Sequence, residues 1–479
     1  MSSSYCSTVP LSLFPLDNYN QQVSHWINPS MADYQKLLLS PAYQRDRTAE
    51  FYTRNFGSLS AWSPEHVQSL LDQSPSMQDL EKQAISLYDN TNKDPSEQGY
   101  DENFRLHSEK WIQEIANNMC IEQLDSLLQF NSAKRGICIN NVDIRALPTE
   151  DVHFYNFTLP GQGYPFDNLR VSCAWAGTAI YIVAETIDKA WSLTITPFGT
   201  GWVKSECIAK VDENFLNTWQ NYAEINLAAI TQTKIPVIDE YDIFRFSAYI
   251  GGVFPVFSKS TDSIQILIPV ADKINMATIS KATLSKEQAT LMPLAATPQN
   301  FSILMQQLVG RPYGWGNLYL FNDCSAELKS LYTPFGIWLA RHSSDQTSAG
   351  KIVDKSSASL EERIDYLINF GRKLMTIVYI GGHVFLYIGN YDNENQEKTP
   401  MSYQNIWGLS PEDHSYRQVV GGAVFLPILK SYPENPNLSS LANKTYFILS
   451  YLDEWPAPQI SQNNLTSLIK TSKSLENVF

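Results

Sequence analysis

The stretch GRPYGWG, at residues 310–316, is followed after a short gap by NDCSAEL, at residues 322–328. Glycine, proline and aromatic residues in the first stretch predict a rigid, irregular backbone. An apolar face with helical spacing begins near Ser325 and continues through Leu328 and Leu331. Cys324 is therefore predicted at the N-terminus of a helix, where free amide groups and the helix dipole favour an anion. That position lowers the pKa of a thiol and makes Cys324 a candidate nucleophile.

Length and composition limit the classes of protein that the chain can belong to. Its 479 residues predict three or four domains. The 35 basic and 49 acidic residues give a net charge of −14, which argues against a nucleic-acid-binding protein. Apolar runs of about 18 residues do not occur in the sequence, so we expect no membrane-spanning helix.

The cysteines and the first residues bear on compartment and on metal binding. Six cysteines are scattered along the chain without a Cys-x-x-Cys pair, which is typical of reduced thiols rather than of a disulfide framework or a zinc site. We therefore expect neither a metal nor another cofactor. The first residues lack the basic and apolar parts of a signal peptide, which predicts a cytoplasmic protein. Export by another route, or a periplasmic location, stays open.

Changes in sequence pattern divide the chain into five parts. Residues 1–130 are polar with helical candidates, and we expect an irregular arm that stabilises the other domains. Residues 131–215 and 216–298 carry short β segments between turn signals, and a weak repeat relates them, so each predicts a small barrel. Residues 299–455 combine the Cys324 helix with later β segments, an α+β arrangement. Residues 456–479 are rich in Ser, Asn and Lys and predict a loosely held tail.

Apolar periodicity gives individual elements within these parts. In the arm the helical candidates are 33–39, 64–71, 77–88 and 109–130. In the first barrel the strand candidates are 137–139, 171–174, 179–185, 191–196 and 202–208. In the α+β part the helical candidates are 302–308, 325–332 and 360–370, and the strand candidates are 376–380, 384–388, 401–407 and 419–427.

A nucleophilic cysteine needs a base, and the base needs a polar group that orients it. His383 is the favoured base, because Gly381-Gly382 predicts a turn directly before a β run that starts at this histidine. Gln404 lies on the next predicted strand and is the natural orienting residue. His414 and Asp413 are the alternatives. Each residue taken alone is more often structural, since free cysteines are usually packed in cores.

Four motifs in this order resemble the NlpC-type cell-wall cysteine peptidases, which have a circularly rearranged papain-like fold. They are RPYGWG at 311–316, NDCSA at 322–326, FGI at 335–337 with RHSSDQ at 341–346, and GHVFLYIG at 382–389. The upstream β blocks resemble the bacterial SH3-like domains of a multidomain, YkfC-like subgroup, whose larger members also begin with a helical arm. The resemblance thus implies a papain-like α+β domain at 299–455, preceded by two SH3-like barrels and the arm.

The resemblance also implies an activity and a set of site residues. The family cleaves the bond between γ-D-glutamate and a diamino acid in peptidoglycan stem peptides or muropeptides, often those with a free N-terminal L-alanine. Cys324 would be the nucleophile, His383 the base and Gln404 the third catalytic residue. The positions that match the family's substrate groove are Trp315, Asp323, Ser325, His342 and Ser343, together with a tyrosine of the first barrel, Tyr164 or Tyr155.

Two positions differ from the subgroup's pattern. Gln404 occupies a place that is usually histidine, and a neutral amide stabilises imidazolium less than a carboxylate would. His342 occupies a place that is often acidic and would pair with the ammonium group of the substrate. These differences favour the alternative of an inactive module that binds peptidoglycan or a protein. A related amidase or transferase acting on another γ-glutamyl or acyl bond is a third hypothesis.

Overall fold

The computed structural model describes residues 12–124, 128–392 and 396–456. The helices are α1 (Val23–Trp26), α2 (Pro41–Asn55), α3 (Pro64–Leu71), α4 (Met77–Tyr88), α5 (Glu109–Met119), α6 (Glu213–Ile225), α7 (Pro298–Leu308), α8 (Cys324–Tyr332), α9 (Ser343–Gln346) and α10 (Leu360–Phe370). The predicted tail at 456–479 lies, apart from Pro456, outside the described residues, as does Cys6.

The strands form four sheets. Those of the first half are β1 (Ser12–Leu13), β2 (Arg135–Cys138), β3 (Val142–Arg145), β4 (Arg170–Ala174), β5 (Ala179–Glu185), β6 (Trp191–Thr196), β7 (Gly199–Lys204), β8 (Ile208–Lys210), β9 (Leu227–Ile230), β10 (Ile235–Ile238) and β11 (Phe244–Ala248). Those of the second half are β12 (Val253–Lys259), β13 (Ser263–Ala271), β14 (Ala277–Ser285), β15 (Ala289–Leu291), β16 (Lys351–Asp354), β17 (Thr376–Tyr379), β18 (Val384–Asp392), β19 (Lys398–Leu409), β20 (Gln418–Pro427) and β21 (Ile448–Tyr451).

The N-terminal arm packs on the C-terminal part and on the first barrel. Strand β1 pairs in parallel with β20 at the edge of the C-terminal sheet. The buried Arg47 of α2 donates to the carbonyl of Ala349 in the C-terminal part, at 2.9 Å. The Trp62 indole donates to the carbonyl of Gly136 at the start of the first barrel, at 2.7 Å. These long-range bonds join the arm to both parts, and its stabilising role stays a prediction.

Two helical predictions in the arm are wrong. Residues 33–39 form turns rather than a helix, and the helix predicted at 109–130 ends at Met119. Cys120 then takes a left-handed conformation with φ 46° and leads into a 3-10 turn over Ile121–Leu124. A left-handed residue ends an α-helix, and here a non-glycine residue adopts it, so no glycine marks the end in the sequence.

The first barrel is a seven-stranded sheet in the order β4-β3-β7-β6-β5-β2-β8. Strands β5 and β6 have the predicted bounds. The strand predicted at 202–208 is instead split by a 3-10 turn at Ser205–Cys207 into β7 and β8. The second barrel combines the five-stranded sheet β14-β13-β12-β9-β15 with the hairpin β10-β11, and α6 precedes it. Helix α6 was not predicted from the sequence.

The C-terminal part is a seven-stranded sheet in the order β1-β20-β19-β18-β17-β21-β16, with helices on both sides. On one face Leu328 and Leu331 of α8 are buried in the same core as Val384 and Leu386 of β18. On the other face Leu367 of α10 is buried against further strand residues. The Cys324 helix therefore lies on a sheet that is antiparallel except for its edge strand β1, which confirms the predicted α+β class.

The described residues contain no candidate membrane span, disulfide or metal-binding cluster. Their helices are too short or too polar to cross a bilayer. The five cysteines among them are free thiols. Groups of three or more His, Cys, Asp or Glu side chains arranged to hold a metal ion do not occur in these ranges.

Glu81 on α4 gives the contact between arm and first barrel a pH dependence. Its buried carboxylate accepts a hydrogen bond from the Trp202 indole at 2.8 Å, and burial raises its pKa from 4.5 to about 7. A raised carboxyl pKa means that the folded state binds the proton more tightly than the unfolded chain. The tighter proton binding stabilises the folded state. This contribution to stability is complete below about pH 4.5 and is lost as the pH rises through about 7.

Glu81→Gln is therefore expected to raise the free energy of unfolding by about 2–3 kcal/mol at pH 8, and to change it little at pH 5. The glutamine oxygen keeps the bond from Trp202 without a buried charge. Urea unfolding of both proteins at the two pH values measures the effect, and Glu114→Gln on exposed α5 is the control. An equal effect of Glu81→Gln at both pH values would show that the buried charge does not matter.

Candidate active site

Cys324 is the first residue of α8, as the sequence predicts. Asp323 is the N-cap, and its carboxylate accepts a hydrogen bond from the backbone amide of Ala326 at 2.9 Å. An aspartate at this position satisfies an otherwise free amide and starts the helix. The Cys324 side chain is thereby held at the helix N-terminus, in a position that is only 6% exposed.

The turn between β17 and β18 closes over the thiol. Gly381 and Gly382 have φ angles of 89° and 72°, and the Ile380 amide donates to the His383 carbonyl at 3.0 Å. Two successive residues with positive φ make a tight two-residue hairpin turn, for which glycine is preferred. The Cys324 Sγ lies 4.0 Å from the Gly382 carbonyl oxygen, and the Val384 amide also interacts with it. Cys324 thus contacts the backbone of the residues directly before and after His383, Gly382 and Val384.

A chain of hydrogen bonds fixes the orientation of the His383 ring. Its Nε2 lies 2.7 Å from Gln404 Oε1. Gln404 Nε2 donates to Ser402 Oγ at 2.8 Å, and Ser402 Oγ donates to the Leu426 carbonyl at 2.6 Å. Because the single Ser402 hydroxyl hydrogen goes to Leu426, Ser402 must accept from the Gln404 amide nitrogen. The Gln404 oxygen therefore faces the imidazole, Nε2 carries the ring proton, and Nδ1 keeps a free lone pair.

The predicted electrostatics of the thiol are wrong for this structure. Burial raises the pKa of Cys324 to about 12, and the adjacent Asp323 carboxylate raises it further. The Val384 and Ser325 amides, and the Arg341 guanidinium, lower it only in part. The helix N-terminus is present, but removal from water outweighs it. Cys324 is therefore a neutral thiol before substrate binds.

His383 is neutral as well. Burial lowers its pKa to about 4, although the Gln404 acceptor opposes this change. The pair is therefore thiol and imidazole rather than thiolate and imidazolium. An arrangement of this kind ionises the nucleophile only during reaction, when the base accepts the proton.

Asp323 also belongs to a buried ion pair that holds the start of α8. Arg341 makes two bonds to its carboxylate, Nη2 to Oδ2 at 2.6 Å and Nη1 to Oδ1 at 3.2 Å. Nη1 also donates to Ser325 Oγ at 2.9 Å, and Nε donates to Ser172 Oγ of β4 at 2.7 Å. Burial favours a higher pKa for Asp323, but Arg341 and the hydrogen bonds outweigh it and hold the pKa below its usual value. One guanidinium thus connects α8 to the first barrel.

The GRPYGWG stretch packs against the first barrel. Trp315 starts an irregular 3-10 segment in which Gly316 has φ 57°. A Cβ at Gly316 would lie 2.8 Å from the Arg170 Cβ, so only glycine permits this close approach. The ring of Phe166 stands edge-on to Trp315, with the centroids 5.3 Å apart. The predicted groove residue Trp315 is therefore placed by contacts with the barrel.

The remaining predicted residues are His342, Ser343 and Tyr164. His342 follows Arg341 directly, and burial together with the Arg341 charge lowers its pKa, so it is neutral. Ser343 begins α9 beside it. Tyr164 is 62% exposed next to Tyr319, and no hydrogen bond joins it to another predicted site residue in the described part of the chain.

Tyr155, His414 and Asp413 are the alternative candidates, and the contacts of each are as follows. The Tyr155 ring packs edge-on against His153, at 5.5 Å, in the interior of the first barrel's loop region. His414 is hydrogen-bonded to Ser410 at 3.3 Å, and Asp413 to Ser415. It is Gln404, rather than Asp413, that contacts the His383 ring.

Arg341 and Ser402 are not among the predicted site residues, although both belong to the site. One signal for Arg341 is present: a charged residue directly follows the apolar run 335–340, which predicts a buried position and hence a partner. Ser402 has a weaker signal, since it lies on the same strand face as Gln404.

Comparison with known proteins identifies the family. The chain is 30% identical to a novel NlpC/P60 endopeptidase from Photobacterium damselae subsp. piscicida, with a TM-score of 0.79 over 94% of this chain and 100% of that one. The chain therefore belongs to the NlpC/P60 family. An NlpC/P60 family protein from Bacillus cereus is 14% identical, with a TM-score of 0.42 over 64% of this chain and 98% of that one.

The profile of an SH3 domain (SH3b1 type) matches residues 153–204. This match and the family membership confirm the predicted combination of an NlpC-type domain with an SH3-like domain. No curated protein matches the sequence.

Proposed function

We propose that the protein is a cysteine endopeptidase that hydrolyses the bond between γ-D-glutamate and a diamino acid in peptidoglycan stem peptides. The observation that carries this proposal is the placement of Cys324 against the His383 turn, with the His383 ring held by Gln404. Family membership supports the reaction class, because the similar Photobacterium protein is an endopeptidase.

The protonation states of Cys324 and His383, a neutral thiol and a neutral imidazole, suggest how the reaction begins. Nδ1 of His383 accepts the thiol proton as Cys324 Sγ attacks the γ-carbonyl carbon of glutamate. The resulting imidazolium is stabilised through its Nε2–H bond to Gln404. The imidazolium then gives its proton to the departing amine of the diamino acid, and an acyl-enzyme remains. Water hydrolyses this thioester with His383 again as the base.

The charge that develops on the carbonyl oxygen needs donors. The backbone amide of Cys324, at the start of α8, is one of them. Tyr313 is the neighbouring donor we assign, because its phenol is buried and the Cys324 charge acts on its pKa. Burial raises the pKa of Tyr313, so it keeps its proton and donates.

The γ-glutamyl side of the substrate is assigned to the Asp323 and Ser325 end of the groove. Trp315, Ser343 and Tyr164 line this end in our proposal. His342 is neutral and supplies no negative charge for a substrate ammonium. A free N-terminal amine is therefore expected to contribute little to recognition by this residue.

Incubation with defined tri- and tetrapeptides, followed by mass spectrometry of the products, tests the proposal. We expect L-Ala-γ-D-Glu and the free diamino acid, or its peptide. Products cut at another bond would contradict the assigned specificity. Products from an amide or ester that lacks γ-D-glutamate would favour the related amidase or transferase instead.

The alternative is a module that binds peptidoglycan without cutting it. The observation that favours this alternative is the raised pKa of the Cys324 thiol. It predicts that peptides bind and that no product forms at any pH. Turnover that depends on Cys324 would exclude it.

Gln404→Glu is expected to move the acid limb of the kcat/KM profile upward by about 1–2 pH units. In the wild type the pKa of His383 is about 4, so the ring gains its second proton, and activity is lost, as the pH falls through that value. A carboxylate beside the ring favours imidazolium, so the base is lost at a higher pH. Profiles between about pH 3 and pH 8 measure the shift.

The control for this change is Gln83→Glu, which adds the same charge at an exposed position on α4. Its profile is expected to match that of the wild type. An unchanged acid limb in Gln404→Glu would mean that His383 does not govern the activity.

A further inference from the structure

A cavity of about 200 Å³ opens beside His383. Its walls are the β17–β18 turn, the end of β19, the loop before β20 and the segment before β21, with Tyr313 at one side. A buried water needs roughly 10–15 Å³, so the cavity has room for a group much larger than water.

Basic side chains converge on this cavity. Arg417, Lys444 and His414 line it together with His383, and the lining contains one carboxylate, Glu412. Arg417 is only 4% exposed, and the Gly161 backbone of the first barrel's loop region covers it so closely that a Cβ there would lie 3.1 Å from its Nη2. The whole chain is acidic, with a net charge of −14, so this concentration of basic groups is local.

The basic groups act on one another. Burial lowers the pKa of Lys444, and the Arg417 charge lowers it further, while Glu412 opposes this. Burial, Lys444 and Arg417 together lower the pKa of His414. Lys444 also disfavours the charged form of His383. Like charges held together in a cleft repel each other, and an anion between them removes that repulsion.

The residues that line the cavity indicate on which side of the scissile bond it lies. Its lining includes Gly382, which the Cys324 thiol contacts, and His383, the proposed proton donor to the leaving amine. The residues assigned to the γ-glutamyl side, Asp323, Ser325 and Ser343, are not among its lining. The part of a substrate that enters the cavity is therefore the part beyond the scissile bond.

We propose that Lys444 and Arg417 form a subsite that binds a carboxylate of the leaving diamino acid. The inference rests on the proposed function for the direction in which the substrate lies. Glu412 lines the same cavity and accepts a bond from Asn443 at 2.7 Å, and in this proposal it would pair with an ammonium on the same amino acid. A diamino acid with a second carboxylate, such as 2,6-diaminopimelate, offers both charges, whereas lysine offers only the ammonium at its far end.

The carboxylate has two possible sources, the side chain of the diamino acid or its own α-carboxylate at a chain end. Four peptides separate them: L-Ala-γ-D-Glu-diaminopimelate, its side-chain amide, L-Ala-γ-D-Glu-L-Lys, and the diaminopimelate peptide extended by D-Ala. We expect the peptides with the bound carboxylate to have kcat/KM about 10–100-fold above those without it, as for a charge-assisted hydrogen bond. Lys444→Met is expected to reduce this ratio to about 3-fold or less.

Lys444→Met keeps the backbone carbonyl to which Arg363 donates at 2.7 Å, so the local chain is retained. Lys259→Met, at an exposed position on β12, is the matched control and should leave the ratio unchanged. The subsite is supported if the wild type prefers peptides with one of the two carboxylates, measured as kcat/KM, and if Lys444→Met loses this preference. Selectivity that is absent, or that persists in Lys444→Met, overturns it while cleavage itself still supports the proposed function.

Calorimetry with the Cys324→Ala variant and the same peptides separates the two proposals further. Binding that prefers the carboxylate and depends on Lys444, without turnover by the wild type, would support the subsite and contradict the peptidase. Neither binding nor turnover would overturn both.

Discussion

Replacing Cys324 by alanine is expected to lower kcat/KM on L-Ala-γ-D-Glu-diamino acid peptides by about 10⁴-fold or more, with little effect on folding. In the proposed mechanism this side chain supplies the atom that forms the acyl-enzyme, and no other group in the described site is proposed to take its place. The remaining contacts of α8, including the Asp323 cap, do not involve the sulfur. Peptide hydrolysis followed by chromatography, and thermal unfolding of both proteins, measure the two effects.

Cys207→Ala is the matched control, because Cys207 is a free thiol, less buried than Cys324, and lies in the first barrel. Its activity is expected to equal that of the wild type. Full activity of Cys324→Ala would rule out the nucleophile assigned here, and equal losses in both variants would point to a general effect on the fold.

Arg341→Met is expected to destabilise the protein by about 3–5 kcal/mol and to lower kcat/KM by about 10²-fold in the molecules that stay folded. The change leaves the Asp323 carboxylate buried beside Cys324 without its counter-charge, and it breaks the bonds to Ser325 and Ser172. The start of α8 loses its fixed position relative to His383. Urea unfolding and steady-state kinetics measure the two losses.

A second change tests whether the ion pair itself is responsible. Asp323→Asn in the Arg341→Met background removes the uncompensated charge and should recover part of the lost free energy of unfolding. Lys351→Met removes one partner of the more exposed pair with Glu454 and should cost about 1 kcal/mol or less. A cost for Arg341→Met as small as that of Lys351→Met would contradict a role for the buried pair.

Local signals explain which parts of the site could be predicted. An aspartate before a helical pattern starts α8, and two glycines before a β run make the β17–β18 turn. Both signals act over a few residues, so they are readable without the fold. The contact between His383 and Gln404 followed because consecutive antiparallel strands are neighbours, as β18 and β19 are.

Long-range contacts explain what could not be predicted. Arg341 and Ser172 are 169 residues apart, and nothing near either residue indicates the other. The thiol pKa depends on burial by the whole site, so the helix N-terminus alone gave the wrong direction. Helix α2 was missed because its buried face includes Gln44 and Arg47, and a polar buried face has no apolar periodicity.

In the proposed mechanism Cys324 becomes nucleophilic by giving its proton to His383. The most direct measurement is mass spectrometry of the protein after reaction with an L-Ala-γ-D-Glu chloromethyl ketone, in the wild type and in His383→Ala. We predict a covalent adduct on Cys324 in the wild type and a rate of labelling lowered by about 10²-fold or more in His383→Ala. Labelling at another residue, or equal rates in the two proteins, would contradict the account.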